Sequence, residues 1–372
     1  ACGAEATPTP APAPVPTAAR PTPTAAPAPT ATAVPTPTRV AAIQPRRGGT
    51  LRVAGITTAF TIKTLDPHYS VQSDEFQLMF VIFNNIVKLG PNLDIQPDLA
   101  QSWDVSPDGK AITFKLVKGV KFQDGTDLTA EAVKWNMERR KAEKLGDYET
   151  VTSFDVIDDY TIRLVFSQFQ NTLFNSLWYM AGMPTSPTAY QKYGEEQGRW
   201  NPVGTGPFKF VSYDQNQKTI SQRFDGYWDK GKPYLDGYNE YYFADGTTMS
   251  LAFQNNELDQ AAGLPSAEVQ NLIKAGYPAQ GIASTVGSFY GDSVNPDSPF
   301  ADIRVRQAVQ YALDKTSVVN SIGKGLWTAT DQMSMISYAN IPNLPPIGYN
   351  PDKAKQLLAQ AGYANGFKTT IY

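Results

Sequence analysis

The chain has 372 residues, a net charge of −3, one histidine and one cysteine. Basic and acidic residues are interspersed, without the long basic cluster typical of proteins that bind nucleic acid. With a single histidine, His68, and no cysteine beyond Cys2, the sequence offers no Ser/His/Asp or Cys/His catalytic set and no histidine-based metal site.

Residues 1–47 are dominated by Pro, Ala and Thr and contain no aromatic residue. Such a segment cannot bury enough apolar surface to offset the entropy of ordering, so we predict a disordered stalk. At roughly 3.1 Å per residue in the polyproline II conformation, the stalk reaches on the order of 100 Å.

Cys2 stands at the start of this stalk, where it has no cysteine partner for an internal disulfide. Ala1-Cys2-Gly3 resembles the end of a bacterial lipobox, in which a small residue precedes an acylated cysteine. A lipobox requires a preceding hydrophobic signal segment. Two interpretations stay open: a lipid anchor on Cys2 whose signal segment has been removed, or an accidental resemblance.

The first elements of the body are a strand and a helix. Residues 49–53 alternate like a strand, and an irregular segment follows to Tyr69. Ser73 is placed to cap a helix from Asp74 to about Ile86, with acidic residues in its first turn.

Strand pairs and a helix are predicted next. Residues 111–117 alternate like a strand after the turn at 107–109, and residues 155–166 form a second pair that turns at 158–159. Thr129 caps a helix that follows the Asp-Gly turn at 124–125. This order of elements indicates an α+β arrangement.

Helices dominate the C-terminal third. Residues 304–313 carry one apolar stripe, and Gly323 ends the helical stretch that follows. Asn350 and Pro351 begin a further helix that Gly362 terminates. The last residues, FKTTIY, read as the start of a strand.

Two motifs invite a catalytic interpretation that the sequence does not favour. Gly204-Thr205-Gly206 precedes Pro207 and a strand, whereas a phosphate loop leads into a helix N-terminus, so we interpret it as a tight turn. The acid pairs Asp158-Asp159 and Glu195-Glu196 suit a glycosidase only if both side chains converge. Adjacent residues of a strand or helix point apart, so solvated pairs are favoured.

Residues 99–139, LAQSWDVSPDGKAITFKLVKGVKFQDGTDLTAEAVKWNMER, resemble the signature block of the extracellular solute-binding proteins of family 5. This is the peptide-, oligopeptide- and nickel-binding group that serves ABC importers. Further blocks follow in the family's order: TLDPH at 64–68, PVGTGPFKF at 202–210, NNELDQ at 255–260, PFADIRVRQAVQYALDK at 299–315 and YNPDKAKQLLAQAGYANGF at 349–367.

The resemblance implies an α/β (α+β), periplasmic-binding-protein-like fold of two lobes, with an extra subdomain inserted in the first. We therefore expect residues 48–85 and 180–262 in the first lobe, 86–179 in the inserted subdomain and 263–372 in the second lobe. Family members continue beyond the last block, so we expect the second lobe to be incomplete here.

The resemblance also places the segment after the first strand and the strand entering the second lobe at the ligand cleft. Tyr side chains stack and hydrogen-bond, and Ser, Gln and Asn offer polar contacts. The candidate ligand-binding residues are Tyr69, Ser70, Gln72, Tyr290 and Asn295.

Four other aromatic or titratable residues are weaker candidates for the cleft. The resemblance makes His68 a candidate nickel ligand, although a surface or capping histidine is the more usual interpretation of such a turn position. Trp327 suits either a cleft wall or a hydrophobic plug under a loop. At most one of Tyr241 and Tyr242 can face a ligand, because they alternate along a strand.

The resulting functional expectation is a non-enzymatic, monomeric receptor without cofactor or metal. It would capture a short peptide, or a related nickel chelate, opine or glycan, outside the cytoplasmic membrane and deliver it to ABC transporter permease subunits. A lipid anchor on Cys2 would hold it at the membrane, because such receptors are lipid-anchored in organisms that lack an outer membrane. The alternative is a secreted hydrolase of glycans or peptides that uses carboxylates.

Overall fold

The computed structural model describes residues 45–56, 62–71, 73–91, 93–168, 170, 172–280, 290–332, 341 and 344–370. The chain divides into two units, Ala1–Pro45 and Arg46–Tyr372, and the description below concerns the second. Residues 1–44 of the predicted stalk, with Cys2, lie outside the described residues. No described helix has the length and apolar character needed to cross a membrane.

Eleven strands are found in the described part of the chain. They are β1 (Thr50–Ile56), β2 (Val87–Leu89), β3 (Ile95–Pro97), β4 (Ala100–Val105), β5 (Ala111–Leu116), β6 (Val151–Asp158), β7 (Thr161–Phe166), β8 (Phe208–Asp214), β9 (Lys218–Arg223), β10 (Gly237–Phe243) and β11 (Gln260–Ala262).

The helices of the same residues are α1 (Ser73–Met79), α2 (Ala130–Ala142), α3 (Leu173–Leu177), α4 (Pro187–Gly198), α5 (Gly246–Gln254), α6 (Ser266–Lys274), α7 (Ile303–Ala312), α8 (Lys315–Ser321) and α9 (Pro351–Gln360). Short 3₁₀ turns occur at Met180–Gly182 and Pro299–Ala301.

The larger sheet has five strands in the order β11-β1-β10-β9-β8. Strand β1 runs parallel to β10 and β11, whereas β9 is antiparallel to both β10 and β8. Strands β1, β8, β10 and β11 therefore all point the same way, and their carboxyl ends share one edge of the sheet.

Apolar side chains cover both faces of this sheet. On one face, Ala54 packs with Met249 and Ala252 of α5 and with Tyr241. Elsewhere, Ile62, Leu65 and Leu78 form a cluster with Tyr242. The two neighbouring tyrosines therefore belong to different clusters, as the predicted strand alternation requires.

A second, four-stranded sheet is antiparallel, in the order β4-β5-β7-β6, and α2 packs on it; we call it the smaller sheet. Strands β2 and β3 pair separately in a two-stranded antiparallel sheet. Its inner strands β5 and β7 alternate between buried and more exposed residues, the pattern of half-buried strands. The predicted strand at 111–117 and the pair at 155–166 are confirmed. The Thr129 cap is confirmed too, because its hydroxyl accepts a hydrogen bond from the Ala132 amide. The lobe and subdomain boundaries themselves remain predictions.

The C-terminal helices are also confirmed. Helices α7 and α9 pack through Ala308, Ala354 and Leu357, and the Asn350 side chain caps α9 as predicted. The predicted strand at the C-terminus is wrong for residues 367–370, which pair with no other described strand.

Helix α1 is shorter than predicted, since it ends at Met79 rather than near Ile86. The backbone beyond it has other partners: the Ile82 carbonyl accepts from the Gly206 amide at 2.8 Å, and the Val81 carbonyl accepts from the Phe208 amide at 3.1 Å. Pairing with the segment before β8 thus competes with continuation of the helix.

This pairing explains the Gly204-Thr205-Gly206 motif, which leads into β8 as predicted. A Cβ atom at Gly204 would lie 2.3 Å from the Ile82 carbonyl oxygen, and one at Gly206 would lie 2.5 Å from the Ile82 carbonyl carbon. Glycine is required at both positions because the two backbones touch.

The buried side chain of Gln123 closes this junction. Its Nε2 lies 2.9, 3.1 and 2.8 Å from the carbonyl oxygens of Ile82, Gly206 and Phe208, and its Oε1 accepts from the Gly204 amide at 3.2 Å. The Gln123 side-chain amide thus joins the turn after β5 to the start of β8 in the larger sheet.

We expect Gln123→Ala to lower the free energy of unfolding by about 3 kcal/mol, because buried backbone groups lose their partner. Urea unfolding of the full chain followed by circular dichroism measures this change. Gln96→Ala is the matched control, since the Gln96 side-chain amide donates to the exposed Asp94 at 3.0 Å. A loss no larger than in the control would contradict the assigned role.

Candidate ligand site at the carboxyl edge of the large sheet

In open α/β sheets, ligands bind outside the carboxyl ends of the parallel strands. Here that edge is formed by the ends of β1, β8, β10 and β11, at Ile56, Asp214, Phe243 and Ala262. The segment 62–71 and the turn that follows β8 lie close to this edge, so we built the candidate site from them.

A cavity of about 680 Å³ opens at the end of β8. Its lining residues are Ile62, Lys63, Trp200, Phe210, Ser212, Tyr213 and Gln215, and we call it the Trp200 slot. The rings of Trp200 and Tyr213 stack with centroids 5.7 Å apart and an angle of 6° between planes. A volume of this size suits part of a small organic ligand.

A second cavity of about 410 Å³ lies over β1, β10 and β11. Phe80 and Val81, which follow α1, form one wall, and Tyr238 and Glu240 of β10 form another. This cavity is smaller and lies over the strands instead of beyond their ends.

Arg140 of α2 holds the segment before α1. Its Nη1 donates to the carbonyl oxygens of Pro67, His68 and Ser70 at 2.9, 3.3 and 2.6 Å, while its Nε donates to Asp147 at 2.6 Å. Both charged side chains are largely buried, with 6% and 17% exposed. A guanidinium suits this place because its fixed fork of donors reaches several acceptors at once.

His68 is buried, with 2% of the residue exposed, so the surface interpretation is wrong. Its Nδ1 lies 2.7 Å from Asp66 Oδ1, and its Nε2 lies 2.8 Å from Asn136 Oδ1. Both ring nitrogens already have a hydrogen-bond partner inside the protein, so neither is free to bind nickel. The described residues contain no group of three metal-ligating side chains.

Tyr69, a predicted ligand residue, is held by charged neighbours. The Arg199 guanidinium lies 3.6 Å from the ring centroid, the hydroxyl accepts from Arg139 at 3.0 Å, and it donates to Glu195. Burial is the main cause of the raised Tyr69 pKa, and the hydrogen bond to Glu195 raises it further. The same hydrogen bond lowers the Glu195 pKa. The proton therefore stays on the tyrosine, and one ring face is covered.

Ser70 is also engaged within the segment. It is buried, and its hydroxyl donates to Glu75 Oε2 at 2.5 Å, while Glu75 Oε1 accepts from the Lys63 amide at 2.8 Å. Tyr69 and Ser70 thus lie in one polar network that holds residues 62–71 against α1, α2 and α4.

The remaining predicted ligand residues lie elsewhere. Gln72 falls outside the described residues. Tyr290 is 82% exposed, and the exposed Asn295 accepts from the Asp297 amide at 3.0 Å. Among the described residues, no hydrogen bond or ring contact joins either of them to Tyr69 or Ser70. Trp327 is half exposed and lies close to Gly323.

The sequence interpretation missed the Trp200 slot. Trp200 and Tyr213 are separated by the glycine motif and most of β8, and nothing in their spacing indicates that the rings stack. Their positions did give one signal, since Trp200 lies four residues before Gly204 of the tight turn and Tyr213 is the penultimate residue of β8.

We expect Arg140→Lys to lower the free energy of unfolding by about 3 kcal/mol, because one ammonium cannot reach both Asp147 and three carbonyl groups. Hydrogen exchange should show lost protection at the Tyr69 and Ser70 amides, which donate to the Asp66 carbonyl. Arg163→Lys is the control, since its pair with Asp155 is exposed. Unchanged protection at 69 and 70 would contradict this role.

Comparison with known proteins gives matches over most of the chain. Residues 94–372 match the family model described as bacterial extracellular solute-binding proteins, family 5 middle. The glutathione-binding protein GsiB of Shigella flexneri is 31% identical over 325 residues, which cover 86% of this chain and 63% of that protein. The chain thus spans less than two thirds of the length of this relative.

Two solved structures are similar as well. DppA, an ABC transporter-associated periplasmic binding protein from Helicobacter pylori in complex with the peptide STSA, has a TM-score of 0.73 and 28% identity. That match covers 87% of this chain and 68% of DppA. The binding protein AgaA from A. tumefaciens R10, in complex with agropinic acid, has a TM-score of 0.70 and 27% identity, covering 86% and 65%.

Proposed function

This chain belongs to the bacterial extracellular solute-binding proteins of family 5, and we propose that it acts as the substrate-binding receptor of an ABC importer. The observation that carries the proposal is the match over 86% of the chain to a protein named for binding glutathione. The predicted family and the periplasmic-binding-protein-like α/β fold are thereby confirmed.

The relatives also weigh against the hydrolase alternative. GsiB, DppA and AgaA are named as binding proteins, and none of the three is named for a reaction. Asp158 of the acid pair at 158–159 has a local structural role, because it accepts from the Tyr160 amide in the turn between β6 and β7. We therefore infer that the ligand leaves the receptor chemically unchanged.

A short peptide is the ligand class that we propose. GsiB is named for a tripeptide derivative, and DppA was solved with the peptide STSA. A peptide main chain can be held by strand-like hydrogen bonds whatever its side chains, which suits a roomy site. AgaA was solved with agropinic acid, an opine, so opines are the alternative ligand class that the experiment must distinguish from peptides.

The cleft residues and partners follow from the same proposal. Tyr69, Ser70, Gln72, Tyr290 and Asn295 remain the proposed contacts, with Tyr69 limited to its uncovered ring face. We propose that the receptor works as a monomer and docks on the permease subunits of its importer. Relatives such as DppA are described as periplasmic, which supports an extracytoplasmic site of action.

We expect the complete gene product to retain a small ligand that mass spectrometry identifies after gentle denaturation. Calorimetry with that compound should then give saturable one-site binding, and incubation should return it unaltered. Turnover of peptides or oligosaccharides that a single Asp or Glu substitution abolishes would contradict the receptor function. Recovery of an opine, without binding of di- to pentapeptides, would contradict the proposed peptide ligand but leave the receptor function intact.

A lipid anchor on Cys2 is the proposed means of membrane retention. Acyl chains at the start of a Pro-rich stalk would keep the receptor near its importer while the body reaches for ligand. We expect Cys2→Ser, expressed with the native signal peptide, to move the protein from the membrane fraction to the medium or periplasm. Fractionation and immunoblotting measure the shift, with Ser102→Ala at an exposed serine of β4 as a control that leaves Cys2 in place. Retention of the Cys2→Ser protein would show another means of attachment.

A further inference from the structure

We propose that the Trp200 slot binds an aromatic side chain that carries a neighbouring carboxylate, as at the carboxyl end of a peptide with a terminal Phe, Tyr or Trp. The inference rests on the proposed receptor function and names a preference within it. Three features of the slot carry it: a flat aromatic wall, a cation without a partner, and a fixed backbone.

The aromatic wall is formed by Trp200 stacked on Tyr213. Trp200 is 37% exposed, so its indole is accessible, and the buried Ile62 adds an apolar side to the cavity. A second planar ring can add to this stack in the offset or edge-to-face arrangement that aromatic pairs prefer. An aliphatic side chain fills the same space but has no ring that can stack on Trp200.

The charge of the lining is positive. Lys63 is the one charged residue among those lining the slot, and its ammonium has no ion-pair partner among the described residues. Ser212 and Gln215 add uncharged polar groups, and no described carboxylate lines the cavity. A ligand carboxylate would therefore meet an exposed ammonium that forms no ion pair with a described acid, although the buried Glu75 carboxylate contacts the Lys63 backbone.

The slot is held open by its neighbours. The Arg199 carbonyl accepts from the Leu65 amide at 2.8 Å, and the Arg199 guanidinium covers Tyr69. Lys63 is fixed on the other side, where its amide donates to the buried Glu75. Because both walls are anchored before ligand arrives, little ordering is needed on binding.

The test uses the full-length protein, freed of retained ligand, with calorimetry against three probes: Ala-Ala-Phe, Ala-Ala-Ala and the amide of Ala-Ala-Phe. We expect Ala-Ala-Phe to bind about tenfold more tightly than each of the other two. Trp200→Ala should remove the advantage of Phe over Ala, and Lys63→Gln should remove the advantage of the acid over the amide. Each variant should keep the other preference.

Matched controls are Tyr349→Ala and Lys192→Gln, which remove an exposed aromatic ring and an exposed charge that do not line the slot. Both should keep the two preferences. In the unsubstituted protein, NMR cross-peaks should link the Phe ring of Ala-Ala-Phe to the Trp200 indole, which gives a second readout if Trp200→Ala fails to fold.

Equal affinities for the three probes, or preferences that survive both slot substitutions, would overturn the subsite while leaving the receptor function intact. Cross-peaks to another tryptophan would do the same. If none of the three probes binds but an opine does, both the subsite and the peptide class are overturned. Catalytic turnover of a probe would instead contradict the receptor function.

Discussion

The close contact between the backbone at Ile82 and the backbone at Gly204 and Gly206 is the constraint on which the rest of the structure depends. It ends helix α1, because the Ile82 carbonyl pairs with the Gly206 amide, and it leaves room for no side chain at either glycine. The Gln123 side-chain amide also donates to the Ile82 carbonyl and accepts from the Gly204 amide. One side chain thus provides hydrogen-bond partners for the buried backbone groups where the four- and five-stranded sheets meet.

A second polar network fixes residues 62–71. Arg140 binds three of their carbonyl groups, and His68 is buried between Asp66 and Asn136. These contacts cost desolvation, which a purely apolar core would avoid, and they hold the segment in one place. The single histidine of the chain thus serves the architecture, and the same grip orients Tyr69 and positions Lys63 beside the Trp200 slot.

Functionally, the arrangement places a rigid wall at the carboxyl edge of the large sheet. The strands β1, β8, β10 and β11 end together there, and the slot opens where β8 ends. A receptor that accepts varied ligands needs such a wall, because a preformed surface spends little affinity on ordering itself. In the proposed subsite, the exposed Lys63 favours a negatively charged ligand group, and the stacked Trp200 favours a planar one.

The sequence by itself determined the local elements and the family. The Thr129 and Asn350 caps, the alternating strands and the ordered motifs depend on residues that are close along the chain, so they can be recognised from the sequence. Only the tertiary structure decided where helix α1 ends, that His68 is buried, and that Trp200 stacks on Tyr213. Each of these depends on a partner distant in sequence, at Gly206, Asn136 or the end of β8, and no local pattern encodes such a contact.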